Sequence, residues 1–236
     1  MPFTQAAPAT NRLLAALPSK DRLHLIANCE PVELMLAEIL SNPGDQIRHV
    51  YFPTDSIISL GMPINGGAGL EVRLIGNEGM LGIPLLLGVD IAPFHALVQK
   101  AGPALRIAVP SFLRELDQNP ALQQKLKRYL YVSYSQLAQT AACNRFHVIE
   151  KRLARWLLMT RDRAHSERFH ITHELLAQML GVRRVGITKA AGALQKQQLI
   201  SYSRGDVRIH DVGGLEAASC ECYRTDKETY ERILDC

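Results

Sequence analysis

The stretch that most constrains this chain is Thr172–Leu194, THELLAQMLGVRRVGITKAAGAL. Leu176 and Leu180 fall on one helical face. Ile187, Ala190 and Leu194 form a second apolar face further on, and Gly181 stands between the two. Ala177 lies four residues before that glycine. Two short helices that cross closely need a small residue at the crossing, a glycine at the turn and apolar side chains to pin the pair. The spacing therefore predicts a helix-turn-helix. Arg183, Arg184 and Lys189 fall at the start of its second helix, where side chains can reach a DNA major groove.

The distribution of charge supports this expectation. The 236 residues carry a formal net charge of only +4. Residues 1–144 hold 11 basic and 11 acidic side chains, residues 145–208 hold 13 basic and 5 acidic, and residues 209–236 hold 3 basic and 7 acidic. A basic segment coinciding with a helix-turn-helix is an electrostatic footprint for phosphate, and the alternative is a solvated charged surface. A hydrophobic content of 47% with 21% charged residues predicts a folded protein of one large or two modest domains. No apolar run reaches the length of a membrane span, and the start MPFTQAAPATNR lacks the pattern of a secretory signal. A cytoplasmic protein with a short flexible leader and no membrane partner is expected.

Residues 11–26 predict one or two short helices, with Ser19 as N-cap of the second. From Glu30 to about Val109, short runs rich in Val, Ile and Leu (PVELML, HVYF, SIISLGMPI, LEVRLIG, ALVQKA, ALRIAV) are punctuated by NPGD, NGGAG and AGP. Many short strands at regular turn spacing predict an antiparallel sandwich or barrel, with NGGAG (65–69) as a hairpin tip. Residues 111–117 read as a short helix, and Pro120 suits the first turn of a long one over about 120–145. Its seam of Leu122, Leu126, Leu130 (or Tyr129), Leu137 and Ala141 suits a dimer helix or a helix packed on its own domain. A further helix over about 148–162 turns Leu153, Trp156, Leu157 and Leu158 to a core and is expected to leave Lys151, Arg152 and Arg155 in water. Phe169–Ile171 reads as a strand, and Thr172 as the cap of the next helix. Ile200–Ser203 and Val207–His210 flank Arg204-Gly205-Asp206 as a hairpin, hence a wing. Arg204 and Arg208 there can meet phosphate or be plain surface charge. A break led by Gly213-Gly214 and one or two short acidic helices complete the chain.

This order of parts resembles the Crp/Fnr family of bacterial transcription regulators. The likeness is carried by LLAQMLGVRR-x-x-IT, then LQKQQLI and the wing, and more loosely by YFPTDSIISL. AACNRFHVIEKRLARWLLM and CECY resemble one subgroup. The resemblance implies an α+β fold: a β-roll, cyclic-nucleotide-binding-like sensor domain (11–118), a dimerisation helix (119–145) and a winged helix-turn-helix with a tail (146–236). It implies a homodimer formed through residues 120–145 on a palindromic DNA site, with RNA polymerase as a further partner. By the same alignment Arg184 reads guanine, because its planar fork of donors matches O6 and N7. Val185 replaces a Glu that often reads cytosine, so half-sites unlike TGTGA are expected. Thr188 and Lys189 face the same way. Arg183 exchanges a cap for a phosphate contact, Thr172 and His173 hold the DNA backbone, and Arg204 reaches it from the wing.

Departures from the family are equally informative. Cyclic-nucleotide-binding members hold the ribose with a Gly-Glu pair and the phosphate with an Arg-Ser pair. Here Gly82-Ile83 and Phe94-His95 stand at those positions. A cyclic phosphate buried against Ile and Phe would lack its charge partner, so cAMP is not expected to bind by the usual contacts. The oxygen-sensing branch uses an N-terminal cysteine cluster, whereas Cys29 is alone in the first 140 residues, so no iron–sulfur centre of that kind is expected. Cys220-Glu221-Cys222 with Cys143 and Cys236 can bind zinc, form a disulfide or be plain thiols, and spacing alone assigns no metal or other cofactor. No HExxH, GxSxG or P-loop context supports an enzyme. The alternative to a specific DNA reader is a sensor or scaffold module of the same fold that no longer binds DNA specifically. The effector, the target genes and the sign of regulation are not encoded legibly.

Overall fold

The computed structural model describes residues 10–63 and 69–234. The expected NGGAG tip therefore lies outside the described residues except for Gly69, and Cys236 lies outside them altogether. The described residues begin with two helices, α1 (Arg12–Ala15) and α2 (Ser19–Ala27). Ser19 is the first helical residue rather than the cap. Pro18 stands at the cap position without a side-chain bond, because its fixed backbone already sets the entry to the helix. Seven strands follow: β1 (Glu30–Leu34), β2 (Ile39–Ser41), β3 (His49–Pro53), β4 (Ile57–Met62), β5 (Leu70–Ile75), β6 (His95–Lys100) and β7 (Gly102–Ala108). They form an antiparallel sheet β1-β7-β3 and a second sheet β2-β6-β4-β5. Glu30 lies opposite Arg106 and Val50 opposite Ile107, and on β3 the alternate residues Val50 and Phe52 are buried.

α3 (Val109–Gln118) leads into α4 (Pro120–Phe146), which Asn119 caps by accepting from the Leu122 N–H at 2.9 Å. Then come α5 (Ile149–Ala164), β8 (Arg168–His170), α6 (His173–Met179), α7 (Arg184–Lys196), β9 (Ile200–Ser203), β10 (Asp206–Ile209), α8 (Val212–Ala218) and α9 (Cys222–Leu234). β8, β10 and β9 form a small antiparallel sheet in that order, with Val207 opposite both Phe169 and Tyr202. Gly213 and Gly214 do not break the chain. They lie in α8, where the Asp211 carboxylate accepts from the Gly214 N–H at 2.9 Å and starts the helix. No helix among the described residues is long and apolar enough to cross a membrane.

The chain forms two compact units. One takes in the chain up to Ser59, Ile75–Tyr131 and the last turn from Ile233; the other takes in Leu60–Leu74 and Val132–Arg232. The core of the first holds Phe52, Ile58, Ile107, Phe112 and Leu126, all buried. Tyr129 sits in it with its hydroxyl accepting from the Met80 N–H at 2.9 Å. On α4 the buried residues include Leu122, Leu126, Tyr129, Val132 and Gln136, whereas Leu130 and Leu137 are half-exposed and Ala141 is exposed. The seam expected from the sequence thus divides: its N-terminal leucines serve the first unit's own core, and Leu130, Leu137 and Ala141 lie towards the surface.

Tyr129→Phe removes the hydroxyl and leaves a buried Met80 amide without that partner, an omission that costs about 1–3 kcal/mol. Urea or thermal unfolding should show the loss, without a change in secondary structure at low temperature.

Candidate nucleic-acid interface

The turn between α6 and α7 closes through two backbone bonds. The Val182 N–H donates to Ala177 O at 2.9 Å and the Gly181 N–H to Gln178 O at 3.0 Å. This is the pairing of a helix end whose next residue is left-handed, and Gly181 has φ of +62°. Ala177, buried in the crossing, gives the second helix room. Ile187, Ala190, Ala191 and Leu194 are the buried face of α7, packed in a core with Leu153, Leu157 and Leu176. Gly186 lets α7 approach α5 closely: a Cβ there would lie 2.9 Å from the Ile149 Cδ1.

The opposite face of α7 is consequently free of the core. Arg184, Val185, Thr188 and Lys189 are exposed on it, and Val185 remains 58% accessible although apolar. Arg183 is the N-cap residue and is exposed; its guanidinium, a donor only, cannot cap the free N–H groups of the helix start. Thr172 caps α6 by accepting from the Leu175 N–H at 3.2 Å. His173 is not a freely projecting side chain. Its ring packs tilted against the Tyr202 ring at 4.4 Å between centroids, and its Nδ1 lies 3.1 Å from the Thr188 Oγ1. The Thr188 hydroxyl donates to Arg184 O at 3.2 Å, so a His173 Nδ1–H completes the chain of bonds. Burial, then the nearby Arg184 charge, lowers the His173 pKa. Arg204 and Gly205 form the tip of the β9–β10 hairpin at φ of +51° and +92°, a two-residue turn that leaves Arg204 exposed. Tyr202 is the residue of this surface that the sequence reading missed.

Arg152 and Arg155, expected in water, are buried on α5, while Lys151 is exposed. The Arg155 guanidinium meets the Asp226 carboxylate of α9 at 2.6 Å and the Thr140 hydroxyl at 3.2 Å, and Arg152 donates to Leu180 O. Periodicity placed them on a polar face, but α9 and the helix-turn-helix cover that face. Trp156 is in the core as expected, its indole N–H donating to Glu71 at 2.8 Å.

Three of the cysteines meet. Cys143 Sγ lies 3.6 Å from Cys220 Sγ, and Cys222 Sγ lies 3.5 Å from the Nδ1 of His147, a residue absent from the sequence-based set. The Cys143 thiol is drawn down to about 5, chiefly by its bond with Cys220, while the Cys220 and Cys222 thiols are pushed up. In the first unit, Gly82 is buried at φ of +123°, Ile83 opens a 3-10 turn (Ile83–Leu87), Phe94 is half-buried and His95 Nδ1 lies 3.0 Å from Asn42 Oδ1.

Residues 151–218 match the Crp-like helix-turn-helix domain. The global nitrogen regulator of Nostoc sp. (strain PCC 7120) is 23% identical over 177 residues, covering 71% of this chain and 79% of that protein. Residues 151–218 are therefore a Crp-like helix-turn-helix domain. A Crp/Fnr-family regulator from Eubacterium rectale shares the fold at a TM-score of 0.67 and 16% identity, over 87% of this chain and 96% of that one. The global regulator CLP of Xanthomonas campestris shares it at 0.68 and 14% identity, over 82% and 100%. The mixed helix-and-sheet architecture of this chain is the one these solved regulators share.

Gly181→Ala forces a Cβ into the left-handed region, which costs about 1–2 kcal/mol. The new methyl also starts 2.8 Å from the Leu70 Cδ1, the flexible end of a side chain. Denaturation of the variant should show a loss of that size.

Proposed function

We propose that this chain is a Crp/Fnr-family transcription regulator that acts as a homodimer on a palindromic DNA site, each protomer presenting α7 to one half-site. The supporting observation is the row Arg183, Arg184 and Lys189. It lies on the face of α7 opposite Ile187, Ala190 and Leu194, and none of the three has an ion-pair partner among the described residues. Unpaired, solvated cations at the start of an exposed helix are what a phosphate-lined groove attracts. Arg184 reads guanine. Val185 contacts a thymine methyl where a carboxylate would accept from cytosine. Lys189 meets a base edge or phosphate beside it. Arg183, the Thr172–His173 helix start and Arg204 at the wing tip grip the backbone. Thr188 acts chiefly through His173, holding the ring that packs on Tyr202.

The functional partition we adopt is a sensor-like domain (11–118), a dimerisation helix (119–145) and a reader with its tail (146–236). On α4 the dimer face is the outward row Leu130, Tyr134, Leu137 and Ala141, of which Tyr134 is 72% exposed. Double-stranded DNA, a second copy of the chain and RNA polymerase are its partners, and the cytoplasm is its place of work. The sensor-like domain does not take cAMP by the family's contacts. Ile83 and Phe94 offer no charge to a cyclic phosphate, and His95 is engaged with Asn42.

Selection from random DNA should enrich a palindrome. Arg184→Ala should relax preference at one base pair, with a loss of about 1–3 kcal/mol in discrimination. Arg183→Ala should weaken all sequences alike and flatten the salt slope by about one. Equal losses on all DNA from Arg184→Ala would remove it from the base-reading role. Separately, Tyr134→Glu with Leu137→Glu should convert the dimer to monomer in light scattering; an unchanged dimer would place the interface elsewhere. Saturating cAMP should leave DNA affinity unchanged, and a clear rise would overturn the reading of the pocket.

A further inference from the structure

We propose that Cys143, His147, Cys220 and Cys222 hold one zinc ion in a closed tetrahedral site. Cys143 and His147 are four residues apart at the end of α4, where the His147 N–H donates to Cys143 O at 3.1 Å, so their side chains leave the same helical face. Cys220 comes from the turn between α8 and α9, and Cys222 is the first residue of α9. All four ligand atoms lie within 4.8 Å of one another, with two of the separations at 3.6 and 3.5 Å. Zinc bonds of about 2.3 Å to sulfur and about 2.0–2.1 Å to nitrogen give a tetrahedron with edges of about 3.5–3.8 Å. Little movement brings these atoms onto it. An iron–sulfur cluster distributes its thiolates over several irons and needs them further apart, so the geometry points to a single ion. Four protein ligands leave no open position, which makes the site structural rather than catalytic.

Two further observations point to the same ligand. The first is the surrounding shell. His147 Nε2 lies 3.2 Å from the Glu221 carboxylate, and Gln139 Nε2 donates to Cys222 Sγ at 2.9 Å. A carboxylate behind a ligating histidine fixes its ring, and an amide donor steadies a thiolate. The second is charge. Arg152 is buried, has no carboxylate partner among the described residues, and its Nε lacks a hydrogen-bond partner there. It lies close enough to Cys143 and Cys220 for their charges to act on it, as Arg155 does to Cys143 and Cys222. A buried cation without a counter-charge is costly. Three thiolates and one Zn²⁺ sum to −1, and that centre supplies the missing anion. Binding releases the thiol protons to solvent, since the ligand is the thiolate. The ion then ties the end of α4 to the tail helices.

The test uses the full-length chain purified and kept in reductant, and no DNA, so its failure is distinct from failure of the DNA-reading proposal. Elemental analysis after zinc loading and desalting should find one zinc per chain. Cobalt(II) should give the intense thiolate-to-metal absorption and tetrahedral d–d bands, both abolished by added zinc. Cys222→Ser and His147→Ala should weaken binding, whereas Cys29→Ser should not, because Cys29 is bonded to Leu25 O in the first unit. Chelation should lower the melting temperature by several degrees. If a ligand variant fails to fold, the cobalt spectrum of the unmutated chain decides. Absence of stoichiometric zinc or cobalt, a non-tetrahedral spectrum, or iron with acid-labile sulfide would overturn the assignment. So would full metal binding in a soluble, folded Cys222→Ser chain. A reduced chain that takes no metal but forms a Cys143–Cys220 disulfide on mild oxidation would make the group a thiol pair instead.

Discussion

Ten of the sixteen residues of α5 are buried, and Arg152, Arg155 and Arg163 are among them. A helix so enclosed cannot be placed by its leucines alone, because three guanidinium groups must find partners wherever it goes. Arg155 reaches Asp226 of α9, Arg152 reaches the carbonyl of Leu180 in the helix-turn-helix, and Arg163 donates to Met159 O at 2.9 Å. The indole of Trp156 reaches Glu71 on β5. α5 is thereby keyed to several elements by directional bonds, and the apolar contacts of Leu153, Leu157 and Leu158 fill the space between. The reading helix inherits its position from this arrangement. α7 packs on α5 through Ile187, Ala190 and Leu194, and its cationic face is left outward because nothing in the unit needs it.

What the sequence discloses follows from how local each feature is. The helix-turn-helix is legible because its determinants, Ala177, Gly181 and the apolar positions on either side, lie within a single short stretch. A glycine at φ of +62° and the two bonds that close the turn are local physics. The strands are legible for the same reason, through alternation and turn residues. The burial of Arg152 and Arg155 is not legible, since helical periodicity says only that they share a polar face. What covers that face is a helix some seventy residues later in the chain, and only the fold brings Asp226 there. His147 was hidden in the same way. Its spacing from Cys143 is plain, but its value appears only when Cys220 and Cys222 arrive from the tail.

Gly213-Gly214 shows the limit of composition. Paired glycines favour a break when nothing competes, yet the Asp211 carboxylate at 2.9 Å from the Gly214 N–H supplies the first bond of α8 and decides the matter. The α4 seam shows a related limit. Leucines at helical spacing state that a face is buried, not by what, and here Leu122 and Leu126 serve their own unit's core while Leu130, Leu137 and Ala141 do not. Candidate pocket residues in the first unit are legible only by what they lack, because charge that is missing constrains a ligand less than charge that is present.

The tail is held differently from the reading helix. α8 and α9 have 7 and 13 residues, lengths at which a helix does not persist alone in water. α9 turns Tyr223, Asp226 and Tyr230 inward, at intervals of three and four residues. Tyr223 donates to Asp162 at 2.8 Å, and Asp226 pairs with Arg155. The cysteine–histidine group supplies the remaining anchor at the helix start. α7 is held by apolar burial, which changes little with oxidation or metal supply. The tail is held by an ion pair, a phenol and sulfur ligands, whose strength depends directly on protonation, redox state and metal. The chain thus carries its most chemically responsive contacts at the junction of α4, α5 and α9, beside the helix on which α7 packs.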